Sequence, residues 1–452
     1  MPLPPRIYRA AWVFPVASPP IREGAVLVDA DGIIAAVGPR EAIELPESAE
    51  VVDLGEAALL PGLVNVHAHP ELALYRGALE DLRFHDWILR LVGSKRAALH
   101  DGDYLLAARW TLVESLRAGI TTLAATEMSA ASAIALREAG MRGIVYREVF
   151  GPDPRQAEDS MAGLREAVDA LRREETDRVR VGVSPHAPYT VSDALFTAAA
   201  EYARAEGLPF AVHAAESAAE DDLVMRGEGD FAPGLRVRGI ETPVRGRSTV
   251  EMLDRLGVLR ARPLLIHCVR LGGEDVRRIA DAGCAVAHCP VANARLGHGV
   301  APYPELREAG VRVGLGTDSV GSNNRLDLLE EARIASIVHR GRLSSPDLLP
   351  AEDLLRLCTL DGARALGLDG RIGTLEPGKD ADLCALSLAA PHAVPVHDPH
   401  AALFHAARGT DVVLAAVKGR VLQRDGRVLT LDAAALEPEV RAAAERLGEH
   451  LR

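Results

Sequence analysis

The sequence predicts an α/β protein: a (β/α)8 barrel of the TIM type, carrying a small β-sandwich built from both chain termini. Three observations lead there. Short apolar runs rich in β-branched residues recur eight times, separated by longer stretches of helical periodicity. Strand-like segments with Asp-Gly between apolar runs occupy both ends of the chain. No G-x-G-x-x-G follows any of the runs, which leaves a dinucleotide-binding sheet without support.

In chain order, residues 1–58 open with short strands. "EGAVLVDADGIIAAVGP" places two apolar runs around Asp31-Gly32, a hairpin signal. Residues 59–369 hold the barrel, with strands predicted at 62–66, 119–125, 142–149, 179–184, 209–214, 263–268, 284–289 and 311–317. Helical patterns such as 156–174, 193–206 and 272–283 lie between them. Residues 370–452 return to strands in "LEPGKDADLCALSL" and "TDVVLAAVKGRVLQRDGRVL", then end in a helical stretch that docks on the surface. The two strand-rich ends are each too small for a core of their own, so they are expected to pair.

Composition narrows the function. A formal net charge of -13 over 452 residues argues against nucleic acid or an anionic membrane as the main partner. No run approaches the length of a membrane span. The five cysteines show no CxxC spacing, and prolines interrupt the apolar N-terminus, so reduced thiols in a cytoplasm are expected.

In a barrel the chemistry sits at the carboxyl ends of the strands. Those ends deliver His67 and His69 from the first run, Arg147 and Glu148 from the third, and His186 from the fourth. The fifth gives His213 with Glu216 three residues on, the sixth His267, the seventh His288 and the eighth Asp318. One histidine ending a strand is ordinary; histidines ending five strands are not. Side chains alternate along a strand, so His67 and His69 project to one side. With His213 and Asp318 they make a nitrogen–oxygen set suited to one divalent metal, zinc or ferrous iron.

The segments "PGLVNVHAH", "SPHAPYT", "VHAAES", "LIHC", "AHCPVANARLG" and "GLGTDSVGSNN" together resemble the amidohydrolase superfamily. Within it they are similar to the aminohydrolase branch containing S-adenosylhomocysteine/methylthioadenosine deaminases, aminodeoxyfutalosine deaminases and triazine chlorohydrolases. The resemblance implies His67, His69, His213 and Asp318 as metal ligands, with Asp318 also accepting a proton from water. It implies Glu216 and His267 as proton-handling groups and His186 as a substrate-orienting histidine. Binuclear relatives bridge two metals with a lysine, and this chain has no lysine between Lys95 and Lys379, so one metal is expected.

The implied reaction is hydrolytic deamination of an adenine-type nucleoside, in a homo-oligomer acting on a small molecule. A triazine chlorohydrolase, a guanine or cytosine deaminase, and a catalytically silent scaffold of the same fold are the alternatives. Arg147 either anchors a carboxylate on the substrate or pairs with a neighbour such as Glu148. His288 either contacts substrate or braces the metal shell. Phe84 and Trp87 read first as an apolar helix face, Glu330 and Glu331 as a solvated one. His85, His298 and His339 are placed near the mouth by position alone, and loops near 76–96 and 217–247 are the expected lids.

Overall fold

The computed structural model describes residues 4–451. Eight parallel strands carry the central part of the chain, in two sheets of four. The first holds Leu63–Ala68, Ile120–Glu127, Arg142–Val149 and Val179–Pro185 in sequence order. The second holds Ala211–Ala214, Leu264–His267, Ala285–His288 and Arg312–Leu315. Each coincides with one of the eight predicted runs. Their residues are buried on both faces nearly throughout, which is why they read as continuous apolar runs rather than alternating ones.

The two sheets meet at both edges. Val183 bridges to Phe210 and donates its N–H to Pro209 O at 2.9 Å; Ala68 bridges to Asp318, whose N–H reaches His67 O at 3.0 Å. Side chains from both sheets share one interior cluster, including Val64, Val66, Ile144, Tyr146, Leu264 and Ile266. Gly314 fits there because a Cβ would lie 2.6 Å from Val66 Cγ1.

Helices cover the outside as the periodicity predicts. Asp193–Glu206 starts under the Ser192 side chain, which accepts from Leu195 N, and stops at Gly207 in the left-handed region at φ 63°. Such an N-cap stabilises a helix by about 1 kcal/mol, and a glycine at this C-cap position avoids the steric cost of positive φ.

The termini combine in one nine-stranded sheet. Leu383–Ser387 runs antiparallel to Ala57–Pro61, joining the C-terminal strands to Arg6–Val13, Ile21–Val28 and Ile34–Pro39. The Asp-Gly signals fall at turns: Asp425 and Gly426 both take positive φ between Arg420–Arg424 and Arg427–Val428. Arg142, fully buried at the start of the third parallel strand, ties the two parts together. Its Nε donates to Asp382 Oδ2 at 2.8 Å, and its Nη2 donates to Asp380 Oδ2 at 2.7 Å and Asp382 Oδ1 at 3.1 Å. The final helix, Ala433–Glu449, docks on Asp101–Arg117 as expected, with Arg446 reaching Asp103 at 2.6 Å.

Candidate metal and proton-transfer site

The carboxyl ends of the parallel strands converge on a buried cluster of imidazoles and carboxylates. His67, His69 and His213 each offer a ligand atom, all within 4.8 Å of one another. Asp318 Oδ1 lies 3.3 Å from His67 Nε2 and 3.5 Å from His69 Nε2. The remaining nitrogens are already engaged where orientation matters: His69 Nδ1 with Thr126 O at 3.0 Å, His213 Nδ1 with His186 O at 3.2 Å. A ring N–H donated to a carbonyl leaves the opposite nitrogen with its lone pair free for a metal.

The electrostatics agree. Burial pushes the His67 and His213 imidazoles down, and takes His69 to about 3, so all three are neutral at physiological pH, as a metal requires. Burial opposes ionisation of Asp318, but the imidazoles of His67, His267 and His69 outweigh it and hold the carboxyl below its ordinary range. Ser322 Oγ fixes the other oxygen, donating to Asp318 Oδ2 at 2.7 Å. His67 is buried with neither ring nitrogen hydrogen-bonded. A buried polar group left unpaired costs about 1–3 kcal/mol, and a metal at this point would remove that cost. The residues present therefore fit a divalent metal.

Glu148, His186 and His213 form a second close group. It is no independent site, because His213 has one free nitrogen to give and His186 Nδ1 is taken by Thr190 Oγ1 at 2.8 Å. The His186 ring stacks on Phe150 at 4.8 Å and sits edge-on to Tyr189.

Beside the cluster, Glu216 is buried with its Oε1 between two imidazoles: His267 Nε2 at 3.5 Å and His298 Nε2 at 3.3 Å. Tyr189 donates to its other oxygen at 3.4 Å. Burial raises the Glu216 carboxyl, and His267 and His298 more than reverse that. Backbone strain concentrates at this point. Ala215, His267, Cys268 and Asp318 all adopt positive φ, between 49° and 74°, an uncommon conformation for residues with a Cβ that clusters at functional sites. These kinks end three strands and swing Glu216, His267 and Asp318 inward.

Seven of the nine residues expected from sequence come together here: His67, His69, His186, His213, Glu216, His267 and Asp318. Two do not. Arg147 is turned to the opposite face of its strand, in register with Glu127, where Glu71, Glu127 and Glu148 balance its charge. It is Glu148, one residue on, that points inward, buried and without a hydrogen bond on Oε1; burial takes its carboxyl to about 8. Likewise His288 faces outward, its Nε2 3.1 Å from His339 Nε2, while Cys289 packs inward beside His67 and Gly316. Glu331 also departs from expectation. It is buried rather than solvated, accepting from Val291 N at 3.2 Å and pairing with Asn323.

Other contributors carried no clear signal. Thr126 orients His69, and Asn293 Oδ1 lies 3.0 Å from His267 Nδ1. Phe84 and Trp87 from the 76–96 segment and Phe231 from the 217–247 segment form an aromatic cap with Tyr189. Tyr189 stacks on Phe231 at 4.3 Å, Phe84 stands edge-on to both, and Trp87 donates to Gly321 O at 3.2 Å. Phe84 and Trp87 are thus core of the cap, serving packing and site at once.

Fold and site together define an α/β protein with a buried cluster of potential metal ligands at the carboxyl ends of its parallel strands. The amidohydrolase family description matches residues 58–422, and the chain belongs to that family. It is 35% identical to a 5-methylthioadenosine/S-adenosylhomocysteine deaminase of Syntrophobacter fumaroxidans, over 94% of this chain and 93% of the relative. It is 34% identical to a 5'-deoxyadenosine deaminase of Methanothermobacter thermautotrophicus, over 94% and 95%. Among solved structures, an adenosine deaminase from Xanthomonas campestris with bound zinc superposes with a TM-score of 0.87 at 28% identity, covering 98% of each chain.

Proposed function

We propose that this protein is a metal-dependent hydrolytic deaminase that replaces the 6-amino group of an adenine nucleoside with a carbonyl and releases ammonia. The observation that carries the reading is the Glu216 carboxylate, flanked by His267 and His298 next to the three-histidine, one-aspartate cluster. The full-length similarity to deaminases of methylthioadenosine, S-adenosylhomocysteine and 5'-deoxyadenosine supports the substrate class. We further infer that the two parallel sheets close into a single eight-stranded barrel over residues 59–369. The hydrogen bonds at both edges and the shared interior cluster support this. The nine-stranded sheet, whose strands come from both ends of the chain, would then curl into the flanking sandwich expected of residues 1–58 and 370–452, for which a buried cluster drawn from both ends speaks.

His67, His69, His213 and Asp318 would hold the metal, with zinc favoured over iron by the zinc-bound structural relative. Bound there, the metal would supply a water acidified towards neutrality. Asp318 would take each of the two protons that the water gives up, the first on adding to the ring carbon and the second as the adduct's hydroxyl becomes the carbonyl. Glu216 would relay these two protons in turn, the first to the adjacent ring nitrogen and the second to the departing amine, since ammonia leaves only once protonated. His267 hydrogen-bonds the charge that develops, and His186 orients the ring. One water is consumed and one ammonia released, with no change of oxidation state.

A chloride leaving group would need no proton, so the investment of three polar groups around Glu216 favours deamination over triazine dechlorination. With Arg147 turned away, a carboxylate on the 5' substituent has no anchor on that strand. The test is ammonia release from zinc-loaded protein across methylthioadenosine, S-adenosylhomocysteine, 5'-deoxyadenosine, adenosine, aminodeoxyfutalosine, guanine and a chlorotriazine. Turnover confined to adenine nucleosides is the expected result; turnover of the triazine or of free guanine alone would overturn the reading.

A further inference from the structure

His298 reaches the site by a device of its own. It is the middle residue of Gly297-His298-Gly299, and both glycines take positive φ, 72° and 110°. That double turn, open to glycine at low steric cost, carries the histidine from an exposed loop into a buried position. Its Nε2 lies 3.3 Å from Glu216 Oε1, at ion-pair distance but without hydrogen-bond alignment, and makes no hydrogen bond to any other group. Its ring stands edge-on to Phe84 of the cap, centroids 4.6 Å apart at 89°. The same short segment supplies Asn293, which meets His267 Nδ1 at 3.0 Å, and His298 N donates to Asn293 O at 2.9 Å. The segment after the seventh parallel strand thus braces both imidazoles that flank the Glu216 carboxylate.

We infer that His298 is a positioning residue for proton transfer: braced by its contact with Phe84, it holds the Glu216 carboxylate in place. The inference rests on the deaminase reading above. Glu216 must accept two protons in turn from one side of the reacting centre and deliver one to each of two nitrogens. A carboxylate free to rotate would miss one of them. His267 restrains Oε1 from one direction and Tyr189 restrains Oε2; His298 supplies the third restraint, from the cap side.

The test compares zinc-loaded wild type with His298→Ala and His298→Gln on the best nucleoside of the panel, with metal content and melting temperature measured for each. Glutamine places an amide N–H close to where Nε2 stands. The expected result is a fall in kcat of about 10–100-fold for His298→Ala, the scale of a misplaced catalytic group, with KM within about threefold and zinc unchanged. His298→Gln should recover most of kcat. An unchanged kcat in His298→Ala, or a rise in KM with kcat intact, would overturn the inference by leaving His298 idle or making it a substrate contact. Should His298→Ala fail to fold, His298→Leu takes its place: a fall in kcat that His298→Gln recovers supports positioning, and wild-type kcat in His298→Leu contradicts it. A wild type that turns over none of the nucleosides would instead fell the deaminase reading, and this inference with it.

Discussion

Replacing Arg142 with methionine separates the stability of the fold from the chemistry of the site. The side chain is fully buried and makes three hydrogen bonds to Asp380 and Asp382, which are themselves buried. Methionine fills much of the volume but leaves two carboxylates facing a thioether. Asp380 keeps Arg371 at 2.6 Å and Asp382 keeps the Lys418 N–H at 2.8 Å, so neither is stranded completely. Breaking a buried ion pair typically costs about 3–5 kcal/mol, and the surviving partners argue for the lower end. At about 2.1 cal/mol/K of unfolding entropy per residue over 452 residues, that cost lowers the melting temperature by roughly 3–5 °C. Differential scanning calorimetry at pH 7 reads it. Changing Asp380 and Asp382 to asparagine in the Arg142→Met background should restore part of the loss, because the unpaired charges are the main penalty. Arg142 begins a strand whose other end carries Glu148, so kcat per folded molecule should not change. A melting temperature within about 1 °C of wild type, or no recovery in the triple variant, would refute the reasoning.

Other outcomes follow from the site. His69→Ala should reduce metal content well below one per chain, measured by atomic emission after dialysis, while far-UV circular dichroism stays as in wild type. Arg147→Met should leave the ratio of KM for S-adenosylhomocysteine to KM for 5'-deoxyadenosine within about threefold of wild type; a selective rise for the carboxylate-bearing substrate would bring Arg147 back into the pocket. Burial raises Glu331 to about 8, well above its unfolded value, so its contribution to stability is full below pH 4.5 and lost as pH rises through 8. Melting scans at pH 5 to 8.5 should therefore show wild type losing ground to Glu331→Gln as pH increases. A gap that is flat or runs the other way would mean Glu331 is not ionised at a cost.

The eight parallel strands were legible because both faces are buried and the runs are dense in β-branched residues. Their ends were not. In the second sheet each strand stops after four residues, and at three of these ends Ala215, His267 or Asp318 takes positive φ, which no local composition announces. The same kinks explain which site residues the pattern found. Period-two alternation predicts that neighbours face opposite ways but leaves the inward one to the register. Glu148 rather than Arg147, and Cys289 rather than His288, won that choice. His267 enters the site because its own backbone breaks the alternation. Glu331 read as solvated because its partners, Val291 N and Asn323, lie on two other short helices, Pro290–Arg295 and Val320–Asn323. His298 was visible only as a histidine between two glycines; its role needed the fold of that turn.

The central claim is that Glu216 moves the proton that lets ammonia leave. The most direct measurement is the ultraviolet conversion of 5'-deoxyadenosine from an adenine to a hypoxanthine chromophore, followed with zinc-loaded wild type and Glu216→Gln at equal metal content. Glutamine keeps the shape and the contact with Tyr189 but cannot carry the proton, so kcat should fall by about 10²–10⁴-fold, the range of a general acid–base group. A Glu216→Gln enzyme that converts the nucleoside within tenfold of the wild-type rate would contradict the account.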